Sequence, residues 1–191
     1  LISAVEELYL DPNQFDETSF EEFSFSALLE YLRNGHKLYR NKILPEIQLS
    51  IVQLAKSIGE EHPLTMILAH FIEDYRKELD AHMSKEDDYV FPYIEQLYKS
   101  NEKNSVFRPA TFLNGWSTLA AFLESHTDTE KDLQVLGTML KNFAKNSDYK
   151  NQINRLLTQL NFLELDLHIH ARIEDDVLIP KALSLEKKVY S

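Results

Sequence analysis

Apolar residues recur at helical spacing along most of this chain. Leu28, Leu32, Leu38, Ile43, Ile47, Ile51 and Leu54 mark one apolar stripe, which predicts an amphipathic helix over about residues 27–57. Ser24 or Ser26 suits its N-cap, and Pro45, inside it, is expected to kink or divide it. The run Ile58-Gly59-Glu60-Glu61-His62-Pro63 is a break, with Pro63 fit for a first helical position. A second helix follows over about 64–98, bent or interrupted near Pro92, then a polar linker over 99–109. A third helix is expected over about 110–145, a turn at Asn146-Ser147-Asp148, and a fourth helix over about 149–185 with Pro180 near its end. Four long helices with short links predict an all-α, up-down-up-down four-helix bundle over residues 26–188. Residues 1–25 read as a short lead-in, or as the tail of a further upstream domain. An apolar-periodic stretch from Leu1 to Leu10 is broken there by Asp11-Pro12-Asn13.

Composition narrows the function classes. At 191 residues the chain is most simply one domain with a substantial core. Only four glycines and six prolines suit helices. Net charge is −11, with no stripe of Lys and Arg, which argues against direct nucleic-acid binding. No cysteine is present, so disulfides, thiolate ligands and cysteine-held clusters are excluded. That fits a reducing cytoplasm, the expected location. No apolar run reaches the roughly 18 residues of a membrane span, and signal-peptide features are missing. The chain starts at Leu1 rather than Met, which reads as a fragment. A Gly-rich phosphate loop and a nucleophile elbow are both missing, so hydrolase and nucleotide-binding readings lack support.

The chemistry lies in a repeat. His82-Met-Ser-Lys-Glu86-Asp-Asp-Tyr-Val-Phe-Pro92 matches His170-Ala-Arg-Ile-Glu174-Asp-Asp-Val-Leu-Ile-Pro180, with His, Glu, Asp, Asp and Pro identical. His and Glu four apart lie one turn from each other on one helix face. A lone His precedes each copy, His36 before His82 and His126 before His170. The chain therefore reads as two halves, each with a His helix and a His-x-x-x-Glu helix. Four imidazoles and two carboxylates turned inward make a metal site, and two carboxylates placed to bridge argue for two ions rather than one. Without thiolates that donor set suits iron, manganese or zinc, with iron preferred.

Each histidine taken singly reads more simply as a core or surface residue, and His126/Glu130 and His70/Asp74 share the same spacing. Only the ordered repetition favours ligation. Glu130 is a candidate third carboxylate, set against a solvated helix face. Asp87, Asp88, Asp175 and Asp176 are candidates to hydrogen-bond the ligand imidazoles. His168 points away from His170, His62 suits a helix cap, and His70 suits packing or exposure. The aromatic residues read as core.

These residues resemble the hemerythrin-like (HHE cation-binding) family, and within it the di-iron proteins for repair of iron centres. The resemblance covers about residues 26–185. It rests on His36 with Leu44-Pro45, His82 and Glu86 with Phe91-Pro92, Ser125-His126, and His168-Ile-His170 with Glu174 and Ile179-Pro180. It implies two non-haem irons with His36, His82, His126 and His170 as terminal ligands. Glu86 and Glu174 would bridge the irons beside an oxo or hydroxo group. Oxygen-carrying members have a second His at the position of Glu130, which argues against simple oxygen carriage here. Repair proteins usually carry an additional small domain with a Cys pair, which this sequence lacks.

The resulting expectation is iron handling in nitrosative or oxidative stress, or iron-sulfur cluster repair. Oxygen or nitric oxide would be the small ligand, and iron-sulfur proteins the iron acceptors. The alternatives are an oxygen, nitric oxide or redox sensor module of a larger bacterial regulator and a metal-free interaction scaffold. A turnover enzyme is the least supported.

Overall fold

The structure, a computed structural model, describes residues 1–12, 15–103, 119, 130–145 and 147–190. Its regular elements are helical, with no strand among the described residues. They run α1 (Ile2–Leu10), α2 (Thr18–Glu21), α3 (Phe25–Leu38), α4 (Leu44–Ile58), α5 (Pro63–Lys85), α6 (Phe91–Glu102), α7 (Glu130–Ala144), α8 (Lys150–Arg172) and α9 (Ile179–Tyr190). No described helix is long and apolar enough to cross a membrane. The first expected helix is found as α3 and α4, the second as α5 and α6, and the fourth as α8 and α9. Most of the third expected helix lies outside the described residues.

Prolines expected to break these helices are absorbed in another way. A π-helical turn joins α3 to α4 (Tyr39–Ile43), α5 to α6 (Glu86–Val90) and α8 to α9 (Ile173–Leu178). In an α-helix the rings of Pro45, Pro92 and Pro180 would strike the carbonyls of Asn41, Asp88 and Asp176, four residues back. The wider turn avoids this. The residue before each proline donates its N–H five residues back: Leu44 to Tyr39, Phe91 to Glu86, and Ile179 to Glu174. The helices therefore continue through the prolines. Such turns are rare and concentrate at functional sites.

The chain divides into two compact units. The first takes residues 1–35, 83–127 and 168–191. Its core includes Leu28, Leu29, Leu32, Phe91, Ile94, Leu97, Leu178, Ile179 and Ala182, all buried. Ser24 caps α3 by accepting the Ala27 N–H at 3.2 Å. Arg33 pairs with Glu95 and lies over the Phe91 ring at 5.6 Å. The lead-in is bonded into this unit. Lys181 Nζ donates to the carbonyls of Glu21 (2.8 Å) and Phe23 (2.5 Å), Phe20 is buried, and Arg172 sits 4.3 Å over Phe15.

The second unit takes residues 36–82 and 128–167. Ile47, Ile51, Leu54, Leu68, Ile72, Leu79, Leu133, Leu140, Leu156, Leu160 and Leu163 are buried in it at helical spacing. Arg40 Nε donates to Asp80 at 2.6 Å. Its α4–α5 corner is closed by Thr65, whose hydroxyl lies within hydrogen-bond distance of the Gly59, Glu60 and His62 carbonyls at 2.8, 3.2 and 2.7 Å. His62 acts as a cap, accepting the Leu64 N–H at 3.2 Å. Gly59 ends α4 at φ +104°, a conformation L side chains rarely adopt, with open space where a Cβ would stand. Gly59→Ala is expected to lower unfolding free energy by about 1–2 kcal/mol through backbone strain alone, as read by urea denaturation. An unchanged midpoint would show that the corner relaxes.

Candidate metal centre

Among the described residues, one group of His and acidic side chains converges closely enough for a cation. It consists of His36, Glu86 and His170, each offering one ligand atom, all within 4.8 Å of one another. His36 lies in the last turn of α3, next to Gly35 in the same unbroken helix. Glu86 opens the π-turn after α5, and His170 lies in the last turn of α8. All three are buried, at 1%, 1% and 6% exposure. Ligand atoms about 2.1 Å from one ion stand about 3–4 Å apart, so a modest contraction would close the three around a cation. Two imidazoles and a carboxylate in a dry interior suit iron, manganese or zinc. The residues present therefore fit a divalent metal.

Glu174 lies one turn beyond His170, within the third π-turn, and is equally buried at 1% exposure. It is outside the group of three. His82, one turn before Glu86, is half-buried and also outside it. His126 lies outside the described residues, as does the side chain of Glu130. Of the secondary candidates, His70 is exposed and pairs with Asp74 at 3.2 Å, as a surface residue does. Asp176 pairs with Arg172, one turn back.

The π-turns set the acidic positions. Glu86 and Glu174 each stand six residues before a proline, and each supplies the carbonyl that accepts the i+5 bond. The same position in the first π-turn is Tyr39, buried at 1% exposure. The signal was present in the sequence as the shared spacing to Pro45, Pro92 and Pro180, but proline alone cannot distinguish a kink from a π-turn.

Two residues bearing on the site escaped sequence reading. Asp166 is buried on α8, one turn before His170, and burial raises its carboxyl from 3.8 to about 6. The spacing Asp166-x-x-x-His170 was a usable signal. Tyr31 on α3 packs against the His170 ring, with centroids 6.3 Å apart and planes at 34°. Burial pushes its phenol up to about 12.

Described elements that are all helical, with a buried cluster of imidazole and carboxylate groups, define a class, that of helical proteins with an internal cluster that could bind a metal. Within it, the chain is similar to curated iron-sulfur cluster repair proteins. It is 20% identical to the iron-sulfur cluster repair protein ScdA of Staphylococcus haemolyticus (strain JCSC1435), over 81% of this chain and 66% of that protein. It is 22% identical to the iron-sulfur cluster repair protein YtfE of Yersinia pseudotuberculosis serotype IB, over 92% of this chain and 73% of that protein. It is 26% identical to the YtfE of Enterobacter sp. (strain 638), over 79% of this chain and 62% of that protein. The chain thus spans somewhat under two thirds of the first and last of these relatives. No family model and no solved structure matches.

Proposed function

We propose that this chain is an iron-binding module of hemerythrin-like, four-helix architecture that serves iron-sulfur cluster repair under oxidative or nitrosative stress. The observation that carries the reading is the buried convergence of His36, Glu86 and His170. The similarity to iron-sulfur cluster repair proteins supplies its biological direction. In this reading two non-haem irons are held by His36, His82, Glu86, His126, His170 and Glu174. Bound iron supplies one-electron chemistry and an affinity for small ligands such as oxygen or nitric oxide. The protein's part is to hold the ions in a dry interior. Glu86 and Glu174 would hold the ions through their carboxylates. A ferrous ion, carrying less charge than a ferric one, would be held less tightly and would be the form passed to an iron-sulfur protein.

The test is iron analysis of protein expressed in iron-supplemented medium, with a visible spectrum and a chelator challenge. About two irons per chain are expected, with ligand-to-iron charge-transfer absorption. Release to a weak ferrous chelator should be much faster after reduction. Equal retention in both redox states would remove the donor role and leave a binding or sensing one.

A sensing role is the second reading. The observation favouring it is the clamp from Lys181 and Arg172 onto residues 15–23, next to the turn that carries Glu174. A change at Glu174 would be felt along that segment.

A further inference from the structure

The buried group is not equally shielded on all sides. His36 and Glu86 are each 1% exposed, whereas His170 is 6% exposed. Tyr31, itself only half-buried, lies next to the His170 ring, with centroids 6.3 Å apart and planes tilted by 34°. Tyr31 therefore lies beside a candidate ligand, its ring tilted against the imidazole and part of its surface in water. It comes from α3, the helix that also carries His36. A ring in this place does two things to a ligand imidazole. It restricts the rotations that would take the ligand nitrogen off the metal, and it keeps water away from the metal–nitrogen bond. Groups that orient ligating histidines change metal affinity by about 10–100-fold when removed.

We propose that Tyr31 is the positioning residue of the centre, covering His170 and setting the rate at which metal leaves. The inference rests on the metal reading above and adds to it the side from which the ion departs. The ring rather than the hydroxyl carries the role in this proposal, because it is the ring that lies beside the imidazole. An aromatic replacement should therefore preserve it.

The experiment uses the full chain loaded with ferrous iron under anaerobic conditions and challenged with excess chelator. Tyr31→Ala is expected to release iron about 10-fold faster, and Tyr31→Phe within about 2-fold of the unmodified chain. Helical circular dichroism verifies folding. In parallel, the His170 ring signals of metal-free, 15N-histidine-labelled protein should be sharp in the unmodified chain and in Tyr31→Phe. They should broaden in Tyr31→Ala as the ring gains freedom. Wild-type release from Tyr31→Ala with unchanged His170 signals overturns the proposal and leaves the metal reading standing. Fast release from Tyr31→Phe as well moves the role to the hydroxyl and overturns it too. If the unmodified chain binds no iron, the metal reading fails, and with it the release role. The imidazole signals then still report whether Tyr31 holds the ring.

Discussion

Replacing His170 by alanine is expected to abolish tight metal binding, with at least about a 100-fold loss of affinity. Removing a group that merely orients a ligand costs up to about that much, and His170 is proposed as a ligand itself. The effect should also appear in stability. A metal present at about 1,000 times its dissociation constant stabilises the native state by about 4 kcal/mol, roughly 10 °C in Tm for a chain of this size. That gain should vanish in His170→Ala and shrink sharply in Glu86→Gln, which keeps the side-chain shape but loses the charge. His70→Ala is the control, since its imidazole is exposed and pairs only with Asp74 among the described residues. It should respond to metal as the unmodified chain does. Calorimetric melting with and without ferrous iron or zinc reads both effects. A full metal-dependent rise in Tm for His170→Ala would sink the assignment of this site.

The second large effect is expected at Asp166. Its carboxyl is held at about 6 in the native protein by burial, against 3.8 for the ordinary group. The native state therefore keeps a proton between these values that the unfolded chain has released. Stability should fall as pH rises from about 4 to about 6, and the full penalty should remain above that window. Its size is about 3 kcal/mol, since a tenfold change in proton affinity corresponds to about 1.4 kcal/mol. Asp166→Asn removes the charge while keeping the shape. In metal-free protein it should be more stable than the unmodified chain by up to about 3 kcal/mol at pH 7.5, and equal to it near pH 4. Urea unfolding in the presence of a chelator measures this directly. A destabilised Asp166→Asn at pH 7.5 would mean that the ionised carboxylate has a strong partner in the native state. A costly buried acid on the face of α8 that carries His170 makes physical sense beside a cation, whose charge would offset the penalty.

Much of the helical layout was legible because its signals are local. Apolar stripes, the Ser24 cap, the Gly59 break and Pro63 at the start of α5 depend on neighbours a few residues away. The repeat was legible for the same reason, since His and Glu four apart share a face in any helix. The response to Pro45, Pro92 and Pro180 was not legible. A proline forbids one hydrogen bond, but whether the chain then kinks, stops or widens depends on what the surrounding packing can accommodate. Here the turn widens at all three, and two of the three turns carry a buried Glu.

The sequence by itself determined the helical class, the absence of thiolate chemistry and the candidate donors His36, His82, Glu86, His126, His170 and Glu174. Composition and periodicity are properties of the chain before it folds. Only the tertiary structure decided which of the described donors converge. It brings ligand atoms of His36, Glu86 and His170 within 4.8 Å of one another, buries Glu174 one turn beyond His170, and leaves His82 half-buried. It also brought in Tyr31, which no local spacing ties to His170, and showed that Asp166 is buried. The reason is physical. Ligand geometry and desolvation depend on distances between segments far apart in the chain, and those distances exist only once the helices have packed.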